Sequence, residues 1–537
     1  MKYLNTISIT FIAGLLLISC DSQKKTASES EVVLYERVNA NTSANANRVL
    51  ALYAYGQAII QSMDCSEPAS WFYQGSMHSV PPKDSIPGGD QLCPAYNSGN
   101  PFRAWNSCPH MYPTEKQLNF LTWHRLYTYY YERNIRYYIA NGGGGYEGLG
   151  NEIANEFSLP YWDYTNQGQM PNFFTINSFS EGDISLTDNP LYEEGRSPTL
   201  MMGQPIDYDA NDSIAINIEG TVRNLCVQTM GQSLNYDKFL ALYDVSEFSR
   251  GLEDRLHNVM HDYIGGAVDE IDKNTEIYNR IYQKTAKGFG LMGYIPSAGF
   301  DPIFFLHHAN VDRMMATWEA IYGPITIEEM NQYAGSWDEN GKIYQYWDAA
   351  TNSWVTYENM QEMLDAAHSI NYTYEELPTH LGSPVNQAKR ATEKSLVVEQ
   401  SIESTTLLGA SAEPQTLTLP EAGIRKDGDT KYKLEIDISF DKDMLEQLLV
   451  ISVPEDMDWT ACDLNSDYIH GIAAVFGSTH QHGQKMGDMK HRHTLLVDVT
   501  SAVKNATKSS VDFYIVPLNS ENGGDFYLEG MRLYEVK

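Results

Sequence analysis

LEDRLHNVMHDYIGG, from Leu252 to Gly266, and DPIFFLHHANVDR, from Asp301 to Arg313, decide how this chain is read. In the first, His257 and His261 are four residues apart, a spacing that sets both imidazoles on one face of a helix, one above the other. The second brings a His-His pair, His307 and His308, just after an apolar run. Three imidazoles suit a borderline metal such as copper or zinc. Neither pattern is decisive alone, because an HxxxH pair on an amphipathic helix often arises by chance. A further histidine upstream changes the balance. It stands in FLTWHRLYTYYYE, Phe120 to Glu132, at His124.

Working outward, 537 residues are too many for one domain and suggest two or three. Hydrophobic residues make up 42% of the chain, enough for a large core, and 36 tyrosines suit a compact exported protein. A net charge of −33 argues against nucleic acid as a partner. The N-terminal 20 residues read as a targeting segment, with a basic Lys2 and an apolar run from Ile7 to Ile18 that is too short for a final membrane span. It ends in LLISC, which resembles a bacterial lipoprotein signal with lipid added at Cys20. The expectation is an exported protein, anchored by lipid to the bacterial cell envelope. Residues 21–32 read as a flexible tether. Beyond Cys20 five cysteines remain, an odd number in a compartment that permits disulfides, so one thiol should have another task.

Helical spacing appears in Val49–Met63, in Leu118–Ala140 closed by NGGGG, in Phe248–Tyr263 and in Ala309–Tyr322. Pro81–Arg103 and the acidic Glu181–Asp212 read as loops. The expected fold class is a mainly α catalytic domain, residues 33–380, in which a helical bundle with long loops supplies histidines from its buried faces. Residues 381–415 read as a linker. Residues 416–537 show period-two runs at Tyr432–Phe440, Leu448–Pro454, His493–Thr500 and Val511–Leu518, which predict a C-terminal all-β sandwich.

SWFYQGSMH ending at His78, CPH ending at His110, FLTWHRLYTYYYE, LPYWDYTN, LEDRLHNVMH, DPIFFLHHANVDR and NYTYEELP occur in this order. Together they resemble the tyrosinase and catechol oxidase family of type-3 dicopper proteins, across residues 33–378. The resemblance implies two copper ions, one held by His78, His110 and His124 and the other by His257, His261 and His308, with His307 in support. It implies O2 as co-substrate and small phenols as substrates. Three neutral imidazoles per ion suit cycling between Cu(I) and Cu(II).

The loop between His110 and His124 is longer than the family's usual spacing, and Glu115 stands where the shorter spacing would end. The CPH motif favours His110 as the ligand, because family members carry a cysteine two residues earlier, joined to it by a thioether. Cys108 is therefore the expected odd thiol. Cys65 with Cys93 is the first disulfide expected, since both flank the loop around His78, and Cys226 with Cys462 the second. Glu253 stands four residues before His257 and, in relatives, orders a water beside copper. Asn258 is associated with that water acting as a base. Asp262 would lie at the entrance, Phe304 would pack on a ligand imidazole, and Asp312 and Arg313 would hold their helix in place. The expected activity is oxidation of o-diphenols to o-quinones, with o-hydroxylation of monophenols. The alternatives are catechol or o-aminophenol oxidation alone, oxygen carriage, and non-catalytic copper binding at His480, His482, His491 and His493. The C-terminal domain loosely resembles the one that keeps plant polyphenol oxidases latent.

Overall fold

The structure is a computed structural model. It describes residues 33–79, 119–164, 168–206, 212–218, 221–227, 245–265, 290–293, 295–333, 344–378, 394–407, 414–420, 424–426, 430–440, 445–452, 469–476, 491–517 and 526–536, together with 93, 104, 107–109, 236 and 240. Cys20, His110, Glu115 and the 480 to 482 histidines lie outside the described residues, as do the side chains of Asp262, Cys226, His491 and His493. The expected second disulfide therefore lies outside them too.

The first large core is built on helices. α1 (Ala46–Gln61) and α3 (Asn119–Asn141) pack against each other, and α6 (Ile303–Tyr322) packs on α3. α1 passes so close to α3 at Gly56 that an added Cβ would lie 2.6 Å from Ile135 Cγ2, so only glycine fits this contact. α3 ends at Gly142, whose φ of +74° stops the helix, as the NGGGG run predicts. Every residue of α6 from Ile303 to Met315 is buried, as expected for a helix through the middle of a core. Asp301 Oδ1 accepts from Ile303 N at its start, and Gly323 (φ +93°) closes its end.

Between these run α2 (Trp71–His78), α4 (Val245–Gly251) and α5 (Asn258–Gly265). Ser70 caps α2 by accepting from Tyr73 N at 3.1 Å. A π-helical turn, Leu252–His257, joins α4 to α5. This differs from the single helix that the sequence predicts over Phe248–Tyr263: the period is broken just before the first histidine. α6 also begins at Ile303 rather than Ala309, so His307 and His308 are helical and point in different directions. The Cys65–Cys93 disulfide is present, with its Cα atoms 5.5 Å apart.

A buried ionic frame ties the two ends of this region together. β1 (Tyr35–Arg37) pairs in parallel with β4 (Tyr372–Tyr374), after a hairpin of β2 (Tyr344–Asp348) and β3 (Ser353–Tyr357) and helix α7 (Met360–His368). Asp312 on α6 sits at the centre. It takes hydrogen bonds from Tyr372, from Tyr374 at 2.6 Å and from the Arg125 guanidinium, and Arg37 Nη1 lies 3.4 Å away. Arg37 also reaches Glu132 at 2.8 Å, and Arg313 pairs with Asp163 at 2.9 Å. Asp312 and Arg313 thus each sit in a buried ionic contact between α6 and a neighbouring segment. Buried charges are stable only when paired and hydrogen-bonded in this way.

The second core is a sandwich of two four-stranded sheets. The strands are β5 (Lys394–Leu407), β6 (Gln415–Thr418), β7 (Lys431–Phe440), β8 (Leu445–Ile451), β9 (Ile469–Phe476), β10 (His491–Asp498), β11 (Ser510–Pro517) and β12 (Phe526–Val536). One sheet runs β5-β12-β7-β10 and the other β6-β11-β8-β9, all neighbours antiparallel. β5 falls inside the stretch read as a linker. Its Ser, Thr and Glu residues hide the alternation, because it is an edge strand with an exposed face where Leu396 is 52% accessible. β9 packs on the π-helical turn and on α5, bringing the sandwich against the histidine helix.

Candidate metal centre

α2 ends at His78, and Gly75 one turn earlier lets the chain lie against Phe300, where an added Cβ would meet the ring at 2.7 Å. Trp71 Nε1 donates to Phe300 O at 2.9 Å, and Tyr127 on α3 donates to Gln74 O, so α2 is fixed on both sides. Ser107 N donates to Met77 O at 2.9 Å and brings residues 107–109 beside His78. His124 projects from α3. Its Nδ1–H donates to Phe120 O, one turn back, at 2.7 Å. A carbonyl can only accept, so the proton is on Nδ1 and Nε2 carries a lone pair. Cys108 Sγ lies 3.3 Å from that Nε2. His78, Cys108 and His124 converge with one donor atom each within 4.8 Å of the others, all buried.

Across from them stands a second set. His257 closes the π-helical turn, and His261 follows one α-helical turn later, ring centroids 4.5 Å apart. His261 Nδ1–H donates to Met292 O at 3.0 Å, and His257 Nδ1–H to Asn258 Oδ1 at 2.8 Å. Both Nε2 atoms are then lone-pair acceptors, and they lie 3.1 Å apart. Two facing lone pairs at that distance repel unless a cation lies between them. His307 and His308 on α6 complete the cluster, the four donor atoms again within 4.8 Å of one another. Among the described residues, neither nitrogen of His308 has a hydrogen-bond partner, nor has Nε2 of His307. Burial pushes His307 down to about 3, and burial with the neighbouring imidazoles pushes His308 well below the usual value, so both are neutral. Buried, neutral, unpaired imidazole nitrogens fit a soft-to-borderline transition metal, copper included.

The two sets face each other. His124 and His308 stack at 4.2 Å with rings 8° from parallel, while His78 lies 5.9 Å from His124 and 6.4 Å from His308. Phe304 sits between the sets, 4.1 Å from His308, 4.8 Å from His78 and 5.8 Å from His261. Phe120 plays a matching part from α3, 4.7 Å from His124 and 4.8 Å from His257. Glu253 is buried at 3% exposure in the π-helical turn. Asp262 lies on α5, its side chain outside the described residues, and the same holds for His110 as a whole. Phe120, Trp123, Tyr164 and the Met292 carbonyl carry no sequence signal as site residues, although Phe120, Trp123 and Tyr164 stand inside quoted motifs.

The common central domain of tyrosinase matches residues 68–321. Residues 68–321 are thus a tyrosinase-type central domain. The match takes in every histidine of both sets. A tyrosinase of Hahella sp. is 26% identical over 287 residues, 51% of this chain and 51% of the relative. The chain spans about half the length of the curated tyrosinases it matches. Among solved structures, a latent aurone synthase described as a polyphenol oxidase superposes with a TM-score of 0.56 at 17% identity, covering 94% of this chain and 90% of that one. A latent apple tyrosinase gives a TM-score of 0.55 at 17% identity, covering 94% and 98%. The tyrosinase-family fold thus extends to both cores described above, the helical region and the β-sandwich.

Proposed function

We propose that this tyrosinase-family chain is a copper-dependent phenol oxidase that converts o-diphenols to o-quinones and hydroxylates monophenols, with O2 as oxidant. The observation that carries it is the 3.1 Å approach of His257 and His261 Nε2, with both Nδ1 atoms committed as donors, opposite the His78 and His124 pair. His78, His110 and His124 would hold one copper, and His257, His261 and His308 the other. Copper supplies the one-electron redox couple and the open coordination positions that let O2 react with a phenol. Each diphenol gives up two electrons and two protons, so two diphenols reduce one O2 to two waters.

The chain's own residues orient and deprotonate the substrate. Phe304 and Phe120 wall the space between the sets and limit water. Glu253 is the buried carboxylate assigned to take the phenol proton through a water, and Asn258, whose oxygen is engaged by His257, offers its amide N–H to that water. An asparagine after the first ligand of the second copper favours monophenol hydroxylation, and Asp262 would draw basic phenols to the entrance. Cys108 would form its thioether to His110, which a peptide mass lower by two hydrogens reports and a freely alkylated Cys108 excludes. Cys20 would carry the lipid that anchors the exported protein to the cell envelope, so Cys20→Ala should release it from the membrane fraction.

Copper-loaded full-length protein, assayed on tyrosine and on catechol, tests the reading. Steady oxidation of both is expected, with loss of both in His257→Ala. Two bound coppers without oxidation of either phenol would point to an oxygen carrier or copper-binding protein. Oxidation of catechol alone would remove the monophenol activity.

A further inference from the structure

The rings around the two histidine sets differ in what they can give up. Phe120 and Phe304, which pack on His124, His257, His308 and His78, hold no group that yields an electron readily. Trp123 does, and it meets His124 edge-on at 4.8 Å and His78 at 6.3 Å. From Trp123 a column of rings leads away along α3 and the β2–β3 hairpin. Tyr346 follows at 6.2 Å, Tyr130 stacks on Tyr346 at 5.2 Å with the planes 15° apart, and Tyr129 meets Tyr130 at 5.1 Å. Trp123, Tyr346 and Tyr130 are buried, whereas Tyr129 is half-buried. The Tyr346 O–H donates to Trp123 O at 3.3 Å, and the Tyr130 hydroxyl lies 2.8 Å from that of Tyr357, so each buried phenol oxygen of the column has an oxygen partner. At the outer end Arg133 Nη1 donates to the Tyr129 oxygen at 3.4 Å. Packing alone would be met as well by phenylalanine at each place; the indole and the hydroxyls are what give the column redox chemistry.

We propose that Trp123, Tyr346, Tyr130 and Tyr129 form a one-electron route that drains oxidising equivalents from the first half-site, that of His78 and His124, to the protein surface when O2 reacts there without a phenol. The route rests on the copper reading above, which supplies O2 as the oxidant. Reduction of O2 to two waters takes four electrons and four protons, and electrons that no phenol provides are drawn from the nearest oxidisable side chains. Trp123 gives one electron and is refilled in turn from Tyr346, Tyr130 and Tyr129. Tyr129 ends as a phenoxyl radical, its electron passed inward and its proton released to solvent. A diphenol at the surface returns one electron and one proton and restores the phenol; two diphenols oxidised in this way disproportionate to one diphenol and one quinone. Without the route the oxidation would stay at Trp123 and His124 and destroy a ligand.

Freeze-quench electron paramagnetic resonance reads the route separately from phenol turnover. Copper-loaded full-length protein is reduced with stoichiometric dithionite, mixed with O2 and no phenol, and frozen at successive times. A tyrosyl signal is expected. Tyr346→Phe, which keeps the ring and removes its hydroxyl, should lower that signal at least tenfold. In this variant, peptide mass mapping after repeated phenol-free cycles should find added oxygen at Trp123 and His124, where the unaltered protein carries it at Tyr129. The initial rate on catechol should stay the same, while the number of turnovers before inactivation falls. Tyr129→Phe should keep a tyrosyl signal but slow its loss to added ascorbate at least tenfold. An equal signal and equal ligand damage in Tyr346→Phe and the unaltered protein would overturn the inference, as would a catechol-oxidising protein that gives no tyrosyl signal, and both leave the oxidase reading standing. Should Tyr346→Phe fail to fold, as melting of the metal-free protein would show, Tyr129→Phe decides: unchanged loss to ascorbate refutes the route. Absence of copper binding in the unaltered protein would overturn both readings.

Discussion

Single hydrogen bonds to Nδ1 decide which nitrogen each imidazole presents. Phe120 O and Met292 O do this for His124 and His261, and Asn258 Oδ1 does it for His257. Replacing Asn258 with Ala leaves the His257 ring free to rotate. Copper affinity at the second half-site should fall by about 10–100-fold, measured by chelator competition, and the ratio of tyrosine to catechol turnover should drop with it. The histidines themselves were legible, because side-chain chemistry at helical spacing is written in the sequence. Their acceptors were not, since a backbone carbonyl belongs to every residue type. Glu319 gives a second prediction at this scale. Burial pushes its carboxyl up, but Arg125 at 2.7 Å and His368 at 2.9 Å outweigh burial and hold it at about 2. A carboxylate whose folded value lies below its unfolded one stabilises the fold above about pH 4.5, and that stability is lost as pH falls towards 2. Glu319→Gln should therefore lower neutral-pH stability by on the order of 2–3 kcal/mol and flatten the acid side of the stability curve, read by urea melts between pH 2 and pH 7.

Among the elements, α1 and α3 depend on a contact that excludes any side chain. Gly56→Val would place carbons into Ile135 and Ile139, which already lie 2.6 and 3.2 Å from an ideal Cβ. Overpacking of this kind costs about 1–3 kcal/mol, so the melting temperature should fall while the copper stoichiometry of the folded fraction stays the same. The helices were legible from their apolar period, and four strands of the sandwich from alternation. The π-helical turn was not: Leu252 and Leu256 are buried in a pattern that an α-helix would also satisfy. β5 was hidden for the opposite reason. An edge strand buries little, and SLVVEQSIESTTL reads as polar chain until its partner β12 is known.

At the scale of the molecule, the two cores meet through charge as well as apolar packing. Arg250 on α4 lies 3.2 Å from Glu435 on β7, and Lys433 lies 3.9 Å from Glu247 while also pairing with Asp498 at 3.0 Å. Glu435 keeps Arg532 at 3.1 Å if Arg250 is lost, so Arg250→Glu acts mainly by setting two carboxylates against each other. It should split thermal unfolding into two transitions and speed proteolytic cutting between residues 378 and 394. A truncation meant to remove the sandwich has to begin before Lys394. One that begins at Thr416 would leave β5 without β12, exposing a 14-residue strand edge to aggregation.

The π-helical turn has a consequence for how much this chain tolerates changes in length. It is one residue of surplus chain set between the helix that meets the sandwich and the helix that carries His261. Deleting Asp254 would remove that surplus and let the segment close as ordinary α-helix with α4 and α5 still in phase. Inserting a further residue would instead turn the Arg250 face from Glu435, or His257 from His261, by about 100°. Insertions and deletions elsewhere in the exposed loops would be absorbed locally, but here a single codon sets both the metal centre and the docking of the C-terminal domain.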